Sequence, residues 1–331
     1  MSYTFGAIKS PFDYRDYIYG QMIPVGAVPA KFLLDELLVR DQGQYGTCVG
    51  QAASGVKDWQ ETKQYKREVK TSPLFVYSEC KKLDGIPDTE GTYPRVAMKV
   101  LKDFGVCKEG TFPYSLMKGK IPPDATDHAR NEAKEFIVNA YAQAQTLAEV
   151  KQALMREGPV LGALLVASSF MEPEQGFVPM PEGYIMGGHA IVVTGWDDNL
   201  KHTYRRSFAG KTTFQGFLRV RNSWGTSWGD GGYCWVPYEF FNGRMDTGMP
   251  YWMESWSSVD VVLPPKNAQR VILEPGLGHA MVDGEKVELD QPAFIVPESG
   301  RLVVPLRFVS ERGGWNVHWD GKQVIMTKSE G

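Results

Sequence analysis

The strongest constraint on the fold of this chain is the separation of its helix-like and strand-like segments along the sequence. Residues 48–157 contain runs with apolar residues at helical spacing, whereas short β-branched or apolar runs between glycine-rich turns begin after Gly158-Pro159. Helices followed by strands indicate an α+β layout, with a helical lobe and a sheet- or barrel-like lobe, and argue against a doubly wound parallel sheet. A cleft between the two lobes is the expected functional site.

The clearest predicted element is a helix from Cys48 to about Tyr65. Its apolar residues recur at three- and four-residue intervals with polar residues between them, as in an amphipathic helix. A Thr146/Glu149 capping-box signature marks the start of another helix. The remaining predictions are helices over 73–83, 93–104 and 146–157, and strands over 160–166, 190–196 and 217–222.

The chain is long enough, at 331 residues, for about two domains. Residues 1–27 are rich in aromatics and turn formers and predict an irregular strap, and residues 28–257 form the first domain. A Pro-Pro step indicates a linker over 258–269. The module over 270–331 contains Asp-Gly steps at 283–284 and 320–321, which favour tight hairpins, and a short helix is predicted over 305–311.

Composition excludes several classes of partner. The formal net charge is -3 and both signs are scattered along the chain, so no basic stripe for nucleic acid and no polybasic membrane anchor is present. The first residues lack the pattern of a secretory signal, and no apolar run is long enough to span a bilayer. As written, the chain is expected to be cytoplasmic.

The four cysteines give no metal-binding pattern. Cys48, Cys80, Cys107 and Cys234 form neither a CxxC pair nor a Cys/His cluster, so neither a metal nor another cofactor is expected. A Cys80–Cys107 disulfide and plain buried thiols are both compatible with the sequence.

Three segments carry candidate chemistry. The segment from Asp41 to Gly50 puts Cys48 at the first turn of a helix, where backbone N–H groups and the helix dipole stabilise a thiolate. His189 opens an apolar strand after two glycines, and Asn222 ends another strand in Asn-Ser-Trp-Gly-Thr-Ser-Trp-Gly. The three residue types suit a nucleophile, its base and a group that orients the base.

The order of these segments along the chain and the motif sequence within each resemble the papain family of cysteine peptidases, from about residue 29 to 238. The resemblance implies a two-lobed papain-like fold, Cys48 as a nucleophile in an ion pair with His189, and Asn222 fixing the imidazole plane. Gln42, six residues before the cysteine, matches the glutamine of the oxyanion hole, a donor whose loss typically costs about 2.7–4 kcal/mol of barrier. Trp224 would shield the His189–Asn222 hydrogen bond from water.

The same resemblance implies a substrate-binding surface. Gly91 and Thr92 match the family's wall for extended substrate backbone, although Thr92 replaces a glycine. The small residues of the predicted pocket would admit a bulky apolar side chain. They are Ala163, Gly187, Gly188 and Ala190.

Residues from about 270 onward resemble the small stalk domain at the N-terminus of bacterial copper amine oxidases, on the segments 282–290, 300–307 and 317–321. The module is expected to be small and α+β. His279 and His318 are isolated, so the resemblance does not imply copper. Relatives on bacterial surface proteins suggest a bacterial or phage source, a cell-surface or secreted form, and a binding or spacer role towards a cell-surface or protein partner.

Three functions are compatible with the sequence. The first is an endopeptidase that forms a thioester acyl-enzyme on Cys48 and acts on peptide or protein substrates. The others are an adhesion or scaffold protein with a papain-like fold, and a Cys-His transferase or amidase.

The strap is too short for the family's usual helical pro-segment, so either the chain is active as made or the strap blocks the cleft. The hairpin residues Lys201, His202, Arg205, Arg206 and Lys211 are expected at a solvated tip.

Overall fold

The computed structural model divides the chain into two compact units, residues 1–11 with 17–261, and residues 12–16 with 262–331. The residues that the structure describes are 3–13, 15–208, 210–245, 247–259, 271–273, 276–282, 285–289, 291–292, 294–296, 301–303, 315–319 and 324–328.

The helices of the first unit follow the predicted pattern closely. The predicted helix that starts at Cys48 ends at Tyr65, and the others begin or end within one residue of their expected positions. Three short helices, at Tyr19–Met22 in the strap, Asp127–Ala133 and Glu239–Asn242, were not predicted. The helices are α1 (Tyr19–Met22), α2 (Cys48–Tyr65), α3 (Pro73–Leu83), α4 (Pro94–Asp103), α5 (Asp127–Ala133), α6 (Leu147–Glu157) and α7 (Glu239–Asn242), with 3₁₀ turns at Tyr114–Leu116 and Ser168–Met171.

The N-terminus of α6 shows how local sequence sets a helix boundary. The Thr146 hydroxyl accepts a hydrogen bond from the Glu149 N–H at 3.2 Å, as the capping signature predicts. The Glu149 carboxylate accepts from the Gln145 N–H at 2.6 Å, one residue before the N-cap position that a standard capping box uses. Two backbone donors at this end of the helix are therefore satisfied.

The strands of the first unit form one antiparallel sheet. They are β1 (Lys31–Leu33), β2 (Ala140–Gln143), β3 (Val160–Ala167), β4 (Ile185–Phe208), β5 (Lys211–Arg221), β6 (Tyr233–Pro237) and β7 (Trp252–Val259). Their order is β2-β7-β3-β4-β5-β6, and β1 pairs with residues 195–197 in the middle of β4. The α+β class is confirmed, and in the described part of the chain the sheet is open and does not close into a barrel.

The core that joins helices to sheet lies under α2. Val49, Ala53 and Val56 on α2 are fully buried in one cluster with Ala163 of β3 and Ala190 of β4. Small side chains at this junction let the helix approach the sheet closely. The first turn of α2 is thereby fixed against the middle of β3 and β4.

The long β4–β5 hairpin differs in one respect from the expectation of a solvated tip. Lys201, Arg205 and Lys211 are exposed, but His202 is buried and stacks on Phe177 with ring centroids 4.1 Å apart. A flat imidazole ring fits between aromatic neighbours, whereas the long aliphatic cations extend into solvent.

The second unit contains β8 (Val271–Leu273), β9 (His279–Val282), β10 (Glu285–Glu288), β11 (Phe294–Val296), β12 (Arg301–Val303), β13 (Trp315–Trp319) and β14 (Val324–Lys328). The antiparallel pairs β9–β10 and β13–β14 lie on either side of the two Asp-Gly steps, as the predicted hairpins require, and the steps themselves lie outside the described residues. The helix predicted over 305–311 lies outside the described residues, as does the predicted linker apart from Ser258 and Val259 at the end of β7.

A buried ion pair beneath α2 yields a prediction about stability. Arg40 Nη2 lies 2.7 Å from Asp58 Oδ2, both side chains are nearly inaccessible, and Asp58 also accepts from the Thr71 N–H and hydroxyl. Asp58→Ala leaves the Arg40 charge uncompensated, so we expect a loss of about 3–5 kcal/mol in unfolding free energy. Urea denaturation measures this loss.

Asp35→Ala is the matched control, because Asp35 pairs with Lys63 in an exposed ion pair. The control should change the free energy of unfolding by at most about 1 kcal/mol. Equal effects of the two substitutions would contradict the structural role given to Asp58.

Candidate active site

The predicted nucleophile lies where α2 begins. Cys48 is the first residue of the helix, follows the N-cap residue Thr47, and is fully buried. The first-turn N–H groups and the helix dipole are directed at this end of α2. Backbone hydrogen bonds from Ala190 on β4 and Gly6 in the strap reach the same sulfur. The thiol therefore sits at the junction of helix, sheet and strap.

The predicted base is oriented by the predicted asparagine. His189 is fully buried on β4, one residue before Ala190, and its Nε2 lies 2.6 Å from Asn222 Oδ1. The Ser223 N–H donates to the same oxygen at 2.7 Å, which identifies Oδ1 as an acceptor and assigns the ring proton to Nε2. Nδ1 has no hydrogen-bond partner among the described residues and is the free basic nitrogen.

Aromatic rings enclose the imidazole. The Trp224 ring lies 4.6 Å from that of His189 at an interplanar angle of 29° and is almost fully buried. Phe170 and Trp228 pack against Trp224 with centroid distances of 5.8 and 5.2 Å. This layer separates the His189–Asn222 hydrogen bond from water, in agreement with the position expected for Trp224.

The Gln42 side chain is held as a hydrogen-bond donor in the cleft. Its Oε1 accepts from the Ser223 hydroxyl at 2.7 Å, and its Nε2 donates to the Tyr45 carbonyl at 2.8 Å. The second amide hydrogen is directed at the Thr4 carbonyl, at 2.9 Å. A peptide carbonyl of the chain itself thus occupies the donor that the sequence assigns to a reacting carbonyl.

Residues 3–10 of the strap, here called the cleft segment, run across the site. The Tyr3 ring stacks on Trp224 with centroids 4.4 Å apart, and the Phe5 ring meets His189 edge-on at 6.1 Å. The Ala7 N–H donates to the Gly188 carbonyl at 3.0 Å. Of the two alternatives for the strap, its position over the cleft is the one observed.

The predicted backbone wall pairs with the cleft segment. The Thr92 N–H donates to the Gly6 carbonyl at 2.8 Å, and the Ile8 N–H donates to the Thr92 carbonyl at 3.0 Å. Ala7 and Thr92 form a parallel bridge. Gly91 has φ +96°, and a Cβ there would lie 2.5 Å from the Gly6 carbonyl oxygen, so both conformation and space require glycine. The wall therefore binds an extended backbone, which here is that of the cleft segment in the same chain.

The predicted pocket residues lie on adjacent strands. Ala163 of β3 is in register with Ala190 of β4. A Cβ at Gly187 would lie 2.7 Å from Phe5 Cβ, and one at Gly188 would lie 2.1 Å from the Ala7 carbonyl oxygen. The small residues therefore let a peptide backbone approach the sheet next to Cys48.

Burial under the cleft segment favours neutral forms of the two catalytic candidates. Burial raises the pKa of the Cys48 thiol, and hydrogen bonds from Ala190 and Gly6 oppose the rise. Burial also lowers the pKa of His189 to about 4, against a smaller effect of its bond to Asn222. The covered site thus favours a thiol and a neutral imidazole, and not the ion pair that the resemblance implies.

Within the described residues no group of three or more His, Cys, Asp or Glu side chains is arranged to hold a metal ion. In the same part of the chain, no helix has the length and apolar character needed to cross a bilayer. All four cysteines are free and buried, so Cys80 and Cys107 are plain thiols here.

Comparisons with known proteins agree with this geometry. The family model for papain family cysteine proteases matches residues 37–246, more than half of the chain. The chain belongs to the papain family of cysteine proteases. A second model, for the copper amine oxidase N-terminal domain, matches residues 231–327 and overlaps the end of the first match.

Individual relatives come from distant organisms. An uncharacterized peptidase C1-like protein of Acanthamoeba polyphaga mimivirus is 30% identical over 60% of this chain and 64% of its own length. A gut-specific cysteine proteinase of Caenorhabditis elegans is 28% identical over 59% of this chain and 62% of its own. The chain thus spans slightly under two thirds of these relatives.

Among solved structures, xylellain, a cysteine protease from Xylella fastidiosa, superimposes with a TM-score of 0.62 at 25% identity. The superposition covers 78% of this chain and 97% of xylellain. The papain-like fold expected from the sequence is therefore confirmed.

The papain-family wall is held by a buried cation that sequence reasoning missed. Lys81 Nζ donates to Asp84 Oδ2 at 2.8 Å and to the carbonyls of Ile86, Thr89 and Gly91 at 2.7, 2.7 and 3.0 Å. The Thr92 hydroxyl also donates to Asp84, at 2.9 Å, which explains why threonine replaces glycine there. The sequence signal was weak, because a lysine on a helix is ordinarily a surface residue.

Lys81→Met keeps the aliphatic stem but leaves the Asp84 carboxylate and three carbonyls without their cation. We expect a loss of about 3–5 kcal/mol in unfolding free energy and faster amide hydrogen exchange over residues 84–92. Lys82→Met is the matched control, since Lys82 is partly exposed, its partner Asp124 is exposed, and its buried partner Glu79 keeps Arg130 as a second cation. Unchanged exchange of the loop in Lys81→Met would show that the cation does not hold the wall.

Proposed function

We propose that this chain is a cysteine peptidase that hydrolyses peptide bonds through a Cys48 thioester, and that the cleft segment keeps it blocked. The observation that carries the proposal is the 2.9 Å hydrogen bond from Gln42 Nε2 to the Thr4 carbonyl. A peptide carbonyl already lies on an oriented amide donor in the cleft that contains the buried cysteine. This arrangement suits stabilisation of an oxyanion.

The described residues supply each step of the reaction. Nδ1 of His189 accepts the proton of the Cys48 thiol, and the sulfur attacks the substrate carbonyl carbon to form a C–S bond. Gln42 donates to the oxygen as it becomes negative. The C–N bond then breaks as the protonated His189 gives its proton to the leaving amine. Water, deprotonated by His189, attacks the thioester, which releases a carboxylic acid and the thiol.

Asn222 acts on this sequence through His189. Its Oδ1 accepts the proton of Nε2, with the two heavy atoms 2.6 Å apart. The lone pair therefore stays on Nδ1, and the ring keeps its plane through both proton transfers. Trp224 excludes water from that hydrogen bond. A wrong tautomer would place a proton where the base must accept one.

The contacts of the cleft segment favour a blocked state. It covers Trp224 and His189, occupies the Gln42 donor, and pairs with the backbone wall at Thr92. Its burial of Cys48 and His189 also disfavours the charged pair. Activity therefore requires the cleft segment to leave the cleft.

The alternative functions differ from this proposal in testable ways. A scaffold would have no use for a tautomer-fixed imidazole beside a helix-terminal cysteine. A transferase or amidase would share every step up to the thioester and differ in the group that attacks it. For the second unit we propose a binding or spacer role toward a cell-surface or protein partner, on the strength of its match to the copper amine oxidase N-terminal domain.

Gly6→Val tests the blocking role without shortening the chain. A Cβ at Gly6 would lie 1.9 Å from the Gly46 carbonyl oxygen, so valine should expel the cleft segment. Exposure should lower the Cys48 pKa and raise that of His189, and each unit by which the thiol pKa falls gives about tenfold more thiolate near neutral pH. We expect faster alkylation of Cys48 by iodoacetamide between pH 5 and 8 and faster cleavage of unstructured casein.

Pro11→Ala, an exposed change in the same strap, serves as the control. A synthetic peptide of residues 3–10 should restore inhibition of Gly6→Val when it is added in excess. Alkylation and cleavage rates equal to those of the parent chain, in a folded Gly6→Val protein, would refute blocking by the cleft segment.

A further inference from the structure

The turn over residues 42–47, here called the oxyanion turn, connects two groups that the proposed reaction uses together. Gln42 begins the turn, and Thr47, at its other end, is the N-cap residue directly before Cys48. An oxyanion on the carbon that the sulfur attacks would accept from the Gln42 amide and from the Cys48 N–H, which as a first-turn N–H has no partner within α2. The path of the oxyanion turn therefore sets the separation of the two donors.

The Tyr114 hydroxyl contacts both ends of the oxyanion turn. It donates to the Gln42 carbonyl at 2.8 Å and lies 2.6 Å from Thr47 Oγ1. A phenol has one proton, which goes to Gln42, so the Thr47 hydroxyl donates to the phenolic oxygen. Burial raises the pKa of Tyr114 to about 12, which keeps the phenolic proton in place at neutral pH. A single oxygen thus links the first residue of the turn to the last.

The Thr47 side chain has no competing role as a helix cap. An N-cap threonine normally has an extended backbone and accepts from an N–H of the first turn. Thr47 has φ −97° and ψ 14°, and in the described part of the chain its side chain makes no such bond. Tyr114 is therefore the side-chain anchor of Thr47. Because the Thr47–Cys48 peptide carries the Cys48 N–H, this anchor orients the second oxyanion donor.

The cleft segment makes some of the other contacts of the oxyanion turn. The Thr4 hydroxyl donates to the Gln44 carbonyl at 2.7 Å, and the Thr4 carbonyl accepts from the Gln42 amide at 2.9 Å. Both contacts are lost when the cleft segment leaves. The Gly46 N–H keeps its bond to Glu90, at 2.8 Å, but that contact lies inside the turn and does not join its ends. The hydroxyl link between the two ends therefore matters most in the open cleft.

Tyr114 is itself held by groups outside the oxyanion turn. It begins the 3₁₀ turn Tyr114–Leu116, and its N–H donates to Glu109 Oε1 at 2.8 Å. Its ring packs against the buried core cluster that contains Cys48 and Val49. Tyr114→Phe therefore removes the hydroxyl, while the ring keeps its packing.

We infer that Tyr114 is a positioning residue for the oxyanion, whose hydroxyl fixes the separation between the Gln42 amide and the Cys48 N–H. The inference rests on the proposed peptidase function. Tyr114 acts on the reaction through Gln42 and Thr47. Stabilisation of an oxyanion depends on donors that are in place before the charge develops. A turn that is free to change its path would therefore weaken both donors in the transition state, and would leave substrate binding at the backbone wall nearly unchanged.

The experiment uses the full chain carrying Gly6→Val, with and without Tyr114→Phe, and a fluorogenic peptide amide. Complete loss of one oxyanion donor typically lowers kcat by about 10²–10³. Tyr114→Phe displaces the donors but removes neither, so we expect kcat to fall by about tenfold and KM to change by less than about twofold. The rate of Cys48 alkylation by iodoacetamide between pH 5 and 8 should stay within about threefold, because attack of the thiolate on iodoacetamide forms no oxyanion.

Tyr65→Phe is the matched control, because it removes an exposed tyrosine hydroxyl from the other end of α2. Its kcat and KM should equal those of the Gly6→Val parent. Thr47→Ser keeps the hydroxyl and should retain most of kcat, whereas Thr47→Val should lose part of it. Thr47→Val combined with Tyr114→Phe should lie no more than about twofold below Tyr114→Phe alone, since both substitutions break the same chain of hydrogen bonds.

The outcomes distinguish this inference from the proposed function. Cys48-dependent cleavage in which Tyr114→Phe lowers kcat by less than about threefold, raises KM instead, or slows alkylation as much as cleavage overturns the inference and leaves the peptidase function intact. Additive losses in the double variant also overturn it. Absence of any Cys48-dependent cleavage in folded Gly6→Val overturns the proposed function and this inference with it.

Discussion

The site depends on the position of α2 against the sheet, and the buried guanidinium of Arg221 fixes that position. Arg221, at the end of β5, donates to the carbonyls of Leu38 and Gln51 at 2.8 and 3.0 Å, the second within α2. A Cβ at Gly55 would lie 2.3 Å from its Nη2, so helix and arginine are in close contact. Burial and the nearby charge of Arg40 lower the pKa of Arg221 to about 10. The Arg221 side chain thus links α2, which begins with Cys48, to β5, which Asn222 directly follows.

Once α2 is held in this position, the local geometry of its neighbours places the other candidate catalytic groups. Asn222 is the residue after Arg221, and Ser223 orients both Asn222 and Gln42. On β4, His189 precedes Ala190, whose backbone N–H reaches the Cys48 sulfur. The group is therefore assembled from one helix terminus and two neighbouring strands. Small displacements of α2 would alter every distance at once, which is costly in a close-packed interior.

The same burial that orders the site also keeps it neutral. A peptide segment of the chain fills the cleft, excludes water from Cys48 and His189, and favours their uncharged forms. The helix dipole and the backbone donors that would stabilise a thiolate are in place, but desolvation outweighs them. The orientation of Cys48 and His189 is therefore separate from their ionisation. The folded chain provides the orientation, and departure of the cleft segment would permit the ionisation.

Sequence reasoning succeeded where the signal was local. The α2 periodicity, the Gly-Gly-His strand and the Asn-Ser-Trp-Gly segment each occupy a few neighbouring residues, and the structure brings all three together. The segregation of helices and strands was enough for the α+β class. Spacing from Cys48 identified Gln42, because both belong to one short loop and helix start.

Most of the missed features depend on contacts between residues far apart in the chain. Tyr114 meets Gln42 across 72 residues, and Ser223 meets Gln42 across 181. Lys81 has local partners, but a lysine on a helix gives no sign that a loop will fold over it. His202 was expected in solvent because its neighbours are charged, whereas Phe177, from another segment, covers it.

Formation of the thioester on the Cys48 sulfur is tested most directly by intact-protein mass spectrometry. Gly6→Val is mixed with a peptide ester, quenched in acid during turnover, and digested to locate any acyl group. We expect a mass increase equal to that of the acyl group, located on Cys48 and absent when Cys48→Ala is added. Turnover without an acyl adduct, or an adduct on Cys80, Cys107 or Cys234 instead, would contradict it.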